Sequence, residues 1–398
     1  MIKISQINPR FSIINIYFVY YVLLEFFISS GKWDKFSVLY FAMVLPILAF
    51  IVFSLKSVLK WQFSKSSVFL ILILVCVAPV TILRADLATI YNLCLFVIPV
   101  ISILETNSRI NIRLINTLFI LSIIFGIVLY HLEINRFGYI PFIHSVGGLE
   151  PDWKISIFPR TPASGFFALF IVILNYYFNS KRSRFILYFL GFYFMLFSGL
   201  RSTLLLFSVF ASFELFSKFV KFKARRTYLL LGLIYVFVAL FTVSGSSLIQ
   251  LVQKTDNKFV KSLLAKSTFT NISEVEGQEN YRAWLWGVHF NIYKENLLFG
   301  VGSYDIKDYE QKDAYGKTDF EGSESFVTRW LARIGLPIIF LFLLLYKIYM
   351  DGMLEKNKYK YILPILLTLI LFTYGSFMMP YNFMYFLIFG TINNKNYI

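Results

Sequence analysis

Apolar runs of about twenty residues recur from one end of this chain to the other, and nothing else in the sequence constrains its fold as much. A helix crossing the roughly 30 Å hydrocarbon core needs about 20 mostly apolar residues. Inside lipid every backbone N–H and C=O must be bonded within the element, which leaves helices or closed barrels. The runs are continuous rather than alternating, so they read as helices. Candidate spans lie at 11–30, 36–55, 67–83, 88–104, 114–132, 162–178, 185–200, 203–217, 227–245, 330–350, 361–378 and 380–392. The seventh and eighth are joined only by Leu200-Arg201-Ser202, and the last is short, so the count is 11–12. Charged residues make up 15% of the 398, where a soluble domain carries about a quarter. The expectation is one all-α polytopic membrane domain of about 12 transmembrane helices over residues 1–398.

The basic residues fix an orientation. With the N-terminus inside, the cytoplasmic segments hold 20 of the 38 Lys and Arg, and the shorter outer segments hold 7. The strongest inside signal is Lys218, Lys221, Lys223, Arg225 and Arg226. Short loops rich in Lys and Arg stay cytoplasmic, whereas long loops translocate largely regardless of charge. Both termini are therefore expected inside. A long polar loop, 246–325, falls outside between spans nine and ten, and a shorter outer loop runs from 133 to 161. The latter carries Gly138, Pro141, Gly147, Gly148, Pro151 and Pro159 and reads as irregular.

A net charge of +16 raises nucleic acid as a partner, but the basic residues sit in loops between spans and are accounted for by orientation. Cys76 and Cys94 lie inside apolar runs, and the three His are dispersed, so neither a disulfide framework nor a metal cluster is expected. The run 11–30 lacks a small-residue cleavage site and reads as a retained span.

Three outer arginines stand at span ends or in the loop. Arg160 lies in FPRTPASGFF, Arg201 in SGLRSTLL, and Arg282 in ENYRAWLWGVHF. Each suits an interfacial anchor. Brought together, they also suit an anion, because guanidinium forks match phosphate oxygens. Around Arg282 the pattern predicts a helix over roughly 279–296. Arg282, Trp286, His289 and Tyr293 share one face of it, and Leu285, Val288 and Ile292 form a neighbouring packing face. Downstream comes Phe299-Gly300-Val301-Gly302, a tight turn with no surrounding strand–helix unit. Then Ser323-Glu324-Ser325 opens the tenth span, with Ser323 as N-cap and Glu324 in the first turn, where it complements the helix dipole. Arg329 and Arg333 follow one turn apart.

These pieces, in this order, resemble the family of O-antigen polymerases and O-antigen ligases of the bacterial envelope. The resemblance rests on Arg160 to Ser164 opening a span, the Ser198 to Ser202 turn, Arg282–x3–Trp286, the turn from Phe299 to Gly302, and Ser323-Glu324 leading to Ile334-Gly335. It covers residues 155–350 in detail. Two departures stand out. Asn296-Leu297-Leu298 replaces the Pro often found before Gly–x–Gly, and Glu324 stands where ligases commonly carry a His.

The resemblance implies a GT-C-like membrane enzyme of the bacterial cytoplasmic membrane, acting on the outer face. It would transfer a glycan from undecaprenyl pyrophosphate to a new lipid-linked repeat unit. Arg160, Arg201 and Arg282 would hold the pyrophosphate. Glu324 or His289 would assist deprotonation, and Trp286, Tyr293 and Arg329 would support. No Asp-x-Asp pair occurs in the outer segments, so arginines rather than a metal are expected to take the charge, with no cofactor. Partners would be lipid-linked oligosaccharide, membrane lipid and a chain-length regulator, and not nucleic acid. The Glu324 departure favours a polymerase. A ligase sharing the donor, or a transporter of lipid-linked oligosaccharide, are the other readings.

Overall fold

A computed structural model describes residues 12–28, 44–54, 60, 63–106, 109–131, 144–146, 152–154, 157–158, 161–179, 182–198, 201–219, 278–304, 325–373 and 387–390. Helices account for nearly all of them. In chain order these are α1 (Ile13–Ile28), a π turn (Phe50–Ser54), α2 (Lys65–Leu83), α3 (Leu87–Glu105), α4 (Ile112–His131), α5 (Thr161–Phe178), α6 (Ser183–Phe197), α7 (Arg201–Phe219), α8 (Gln278–Glu295), α9 (Phe326–Ile334), α10 (Ile339–Leu354) and α11 (Lys358–Thr373). Three stretches, Lys65–Leu83, Leu87–Glu105 and Leu336–Leu354, are long and apolar enough to cross a membrane, and α1, α4, α5, α6 and α7 contain shorter apolar helices. The protein is an integral membrane protein. The ninth expected span lies outside the described residues, as do nearly half of the second and most of the last.

The all-α reading holds, with one expectation corrected. Beside the helices stands a short antiparallel hairpin, β1 (His144–Val146) with β2 (Asp152–Lys154), pairing Ser145 with Trp153. It falls within residues 133–161, the segment that reads as irregular. The tenth span is not continuous over 330–350. Gly335 takes φ +67 and ends α9, and a 3-10 turn (Leu336–Ile338) with Pro337 near its start leads into α10. Pro337 brings no N–H to an α9 that would run on, so the helix stops before it.

α5 is the hub. Every residue from Ala163 to Asn175 is buried, and the helix packs against α4, α6 and α7. A helix apolar on all sides and closed in by protein is a core element even in a membrane. Its neighbours carry the outward surface. Phe185, Ile186, Phe189 and Phe192 form an exposed stripe on α6, and Ile120, Leu121, Ile124, Phe125 and Val128 form one on α4. Polar links inside the bundle are paired. The side-chain amides of Asn116 and Asn175 each donate to the other at 2.8 Å, and Tyr176 and Tyr177 donate to the Glu214 carboxylate at 2.8 and 2.5 Å. Such bonds between membrane helices contribute about 0.6–2 kcal/mol each.

Loop contacts sort the helix ends into two groups. At one end, Ser12 and Asn15 donate to the Arg109 carbonyl at 2.5 and 3.1 Å, and Ser64 N–H and the Ser67 hydroxyl donate to Glu105 at 2.9 and 2.5 Å. Lys358 reaches the Ser217 hydroxyl there at 2.9 Å. The starts of α7 and α10 therefore lie toward the other end, with the α2–α3 turn.

Candidate functional site

At that second end, two segments, the turn after α8 and the end of α9, are knitted through backbone. Val301 N–H donates to the Ala332 carbonyl and Gly302 N–H to that of Arg333, both at 2.9 Å, and Leu336 N–H donates to the Leu297 carbonyl at 3.0 Å. Gly300 and Gly302 take φ +60 and +85, a region other residues enter only with strain. A Cβ on Gly300 would meet the Arg333 backbone, and one on Gly335 would lie 2.6 Å from the Leu297 carbonyl oxygen. Gly–x–Gly is thus a clasp around the helix break.

The α2–α3 turn closes the clasp. Arg84 Nη1 donates to the Gly300 carbonyl at 2.6 Å. The Asp86 carboxylate accepts Ser303 N–H at 2.6 Å, the Ser303 hydroxyl, and Thr89 N–H at 3.1 Å. Partial burial pushes the Asp86 carboxyl up, but the Ser303 and Thr89 hydrogen bonds outweigh it and hold the group below the usual carboxylate value. The charge count registers Arg84 only as an outer basic residue, and the Asp86–Ser303 pair carries no local sequence signal.

α8 spans Gln278–Glu295, matching the expected helix, and rests on α9. The His289 ring is 1% exposed, buried beside Ile292. Nδ1 lies 3.3 Å from the Thr328 hydroxyl, which itself donates to the Ser325 carbonyl at 3.3 Å. Nε2 has no hydrogen-bond partner among the described residues. The Tyr304 ring meets the imidazole edge-on at 5.8 Å, and the Arg333 guanidinium lies 6.0 Å from Tyr304 and 5.9 Å from Trp330. Burial, with Arg329 and Arg333 nearby, lowers the His289 pKa to about 4. The imidazole is neutral at ordinary pH. Tyr293 is half-buried further along α8.

The N-cap of α9 is Ser325, whose side chain accepts Thr328 N–H at 3.5 Å, and no acidic residue lies in the first turn. The expected cap at Ser323 with Glu324 inside the helix is therefore corrected by two residues. Glu324 is the residue before the cap and lies outside the described residues.

The α6–α7 turn meets α5. Gly165, in its first turns, approaches the α6–α7 turn so closely that a Cβ would lie 2.6 Å from Ser198 Oγ and 3.2 Å from Thr203 Cγ2. The Ser164 hydroxyl accepts Ile157 N–H at 2.9 Å, fastening the segment before α5. The small residues of PASG let the N-termini of α5 and α7 converge. Arg201 is the first residue of α7; its side chain, and those of Arg282 and Trp286 on α8, lie outside the described residues, as does all of Arg160.

Residues 186–343 match the family model Wzy_C, described as O-antigen ligase. The match begins in α6 and takes in the α6–α7 turn, α8, the clasp and α9, and the resemblance to the polymerase and ligase family is shown over that stretch. No curated protein matches the chain.

Proposed function

We propose that this membrane protein, with an O-antigen ligase family domain over residues 186–343, is a polymerase of lipid-linked polysaccharide repeat units. Members of that family are glycosyltransferase-like enzymes acting on lipid-linked glycans. In this reading the donor is a glycan on undecaprenyl pyrophosphate, and the acceptor is the terminal sugar hydroxyl of a new lipid-linked repeat unit on the outer face of the cytoplasmic membrane. The acceptor oxygen bonds to the anomeric carbon. The bond from that carbon to the pyrophosphate breaks, its electron pair leaves with the pyrophosphate, and the hydroxyl proton passes to a base.

The observation that carries the reading is the convergence of α5 and α7 N-termini at Gly165, Ser198 and Thr203. Helix N-termini present unpaired N–H groups and the positive end of the dipole. Arg160 precedes one and Arg201 begins the other. Pyrophosphate departure needs its developing charge stabilised in advance, and these termini with Arg160, Arg201 and Arg282 supply that. Trp286 and Tyr293 share the α8 face with Arg282, and Arg329 adds positive potential from α9. The His289 ring is enclosed between α8 and α9, against Thr328 and Tyr304, and is closed to a sugar hydroxyl, so His289 is assigned to holding α8 on α9. Glu324, at the mouth of α9, is the base in this reading. Its place where ligases commonly carry a His favours the polymerase.

The description of the matched family supports the second reading, a ligase that moves finished glycan from the same donor to another acceptor. Deletion and complementation separate the two, with surface and lipid-linked glycan resolved on gels. A polymerase deletion leaves glycan of one repeat unit, and the restored chain rebuilds a ladder. Accumulation of full-length polymer on the lipid carrier would assign the ligase instead.

A further inference from the structure

Leu297, Leu298 and Phe299 stand consecutively on the turn after α8, 49, 63 and 41% exposed. From Asn296 to Tyr304 the sequence has no charged residue. The turn is not a loose excursion. Gly300 N–H donates to the Asn296 carbonyl, Leu336 N–H to that of Leu297, and Arg84 to that of Gly300. Two of those bonds fix its depth. Leu336 begins the apolar stretch Leu336–Leu354, and Arg84 directly follows the stretch Lys65–Leu83. A helix just long enough to span puts its ends at the hydrocarbon boundary. At the same span ends Ile82, Leu83, Leu87, Leu336 and Ile339 are also exposed. A water-facing surface would not leave so many large apolar side chains together, and the lipid-facing surface of the spans continues directly into this turn.

We propose that Leu297-Leu298-Phe299 is a membrane seat, inserted among the acyl chains at the edge of the outer leaflet. Its partner is lipid. Through the hydrogen bonds above, the seat ties the end of α8 to the bilayer surface. Resting on the function proposed here, α8 is thereby held with Arg282 at the depth of a polyprenyl pyrophosphate headgroup. The one-residue turns of a flexible loop would not set that depth; a wedge bonded to a span end does.

The test uses full-length protein in phosphatidylethanolamine–phosphatidylglycerol vesicles, with Cys76→Ser and Cys94→Ser and a nitroxide placed by Leu298→Cys. The expected result is relaxation by oxygen exceeding relaxation by a water-soluble nickel chelate. The ratio should be reversed for a label placed by Lys294→Cys on the exposed last turn of α8. Nickel-dominated relaxation at 298 would put the turn in water, and relaxation by neither would put it against protein, such as a second copy; either overturns the seat. This readout needs no activity, so its failure is distinct from failure of the polymerase reading. Leu298→Asp, at wild-type protein levels, should lose the polymer ladder while Leu298→Met keeps it. A full ladder from Leu298→Asp would overturn the depth-setting role even with lipid exposure established.

Discussion

Two turns of three residues join helices at the same end of the bundle, and their chemistry is opposite. Arg84-Ala85-Asp86 joins α2 to α3. Asp86 N–H donates back to the Thr81 carbonyl at 2.8 Å and Ala85 N–H to that of Ile82 at 3.0 Å, with Ala85 at φ +55, a helix-ending αL arrangement. The Asp86 carboxylate then caps α3 and holds Ser303, so the positive end of α3 is answered by its own chain. Ser198-Gly199-Leu200 joins α6 to α7. Ser198 turns its hydroxyl back to the Met195 carbonyl at 3.1 Å. The first turn of α7 holds no acidic residue and begins with Arg201. An aspartate uses up the N-terminal potential of a helix; an arginine adds to it. The first turn is therefore built as scaffold; in the function proposed here, the second offers its positive potential to an anion.

The largest expected effect tests that contrast directly. Arg201→Ala should lower polymer formation by about 10²–10³-fold, the scale of losing one donor to developing charge, while leaving the melting temperature in detergent unchanged. Transfer rates with lipid-linked substrate, beside thermal denaturation of the same preparation, measure both. A variant that lost stability and activity in step would put Arg201 with the scaffold. Gly300→Ala should show the reverse pattern. The new methyl meets the Arg333 backbone at a left-handed φ, and the combined strain and overpacking cost about 3 kcal/mol. Its melting temperature should fall sharply, with lost activity following from lost folded protein.

The two sides of the comparison were not equally legible in the sequence. Apolar run length sets out the helices, because the bilayer imposes that length, and the α8 pattern locates a helix that is present. The Ser198–Ser202 turn is visible because its two spans leave almost nothing between them. The clasp was hidden, since Asp86 and Ser303 lie 217 residues apart and no local periodicity joins them. The break at Gly335 had a signal in Gly335-Leu336-Pro337, which the surrounding hydrophobicity masked. The burial of His289 has no sequence signal, because a helical face predicts which residues share a side, not which side is covered. Arg160 and Glu324 lie outside the described residues, and their sequence signal is a charged residue beside the start of an apolar run.

His289 sharpens the scaffold side through pH. With its folded pKa at about 4 against an ordinary value near 6.5, the unfolded chain binds a proton first as pH falls. The contribution of a neutral His289 is present in full above about pH 6.5 and is lost progressively down to about pH 4, by about 2 kcal/mol at pH 5. Thermal denaturation at pH 7 and pH 5 should show that loss in the wild type and less of it in His289→Phe. Equal losses in both proteins would mean that the imidazole is hydrated and free to act as a base.

Asp86→Asn is the smallest and most discriminating change. The depressed carboxyl value means that its contribution is present above the unfolded value near 3.9 and lost as pH falls through the lower folded value, so at neutral pH the clasp is fully formed. An asparagine can still cap α3, since Asn and Asp cap about equally well. Its amide, however, brings two donors to a place where Ser303 N–H, the Ser303 hydroxyl and Thr89 N–H already donate. One of those donors loses its acceptor, at a cost of about 1 kcal/mol. The melting temperature should drop modestly at pH 7, and the drop should vanish once the pH falls below the lowered folded value, where the wild-type carboxyl is itself protonated. Activity per folded molecule should stay near wild type. If it fell as steeply as in Arg201→Ala, the two turns would belong to one catalytic unit, and the division between a saturated turn and an open one would fail.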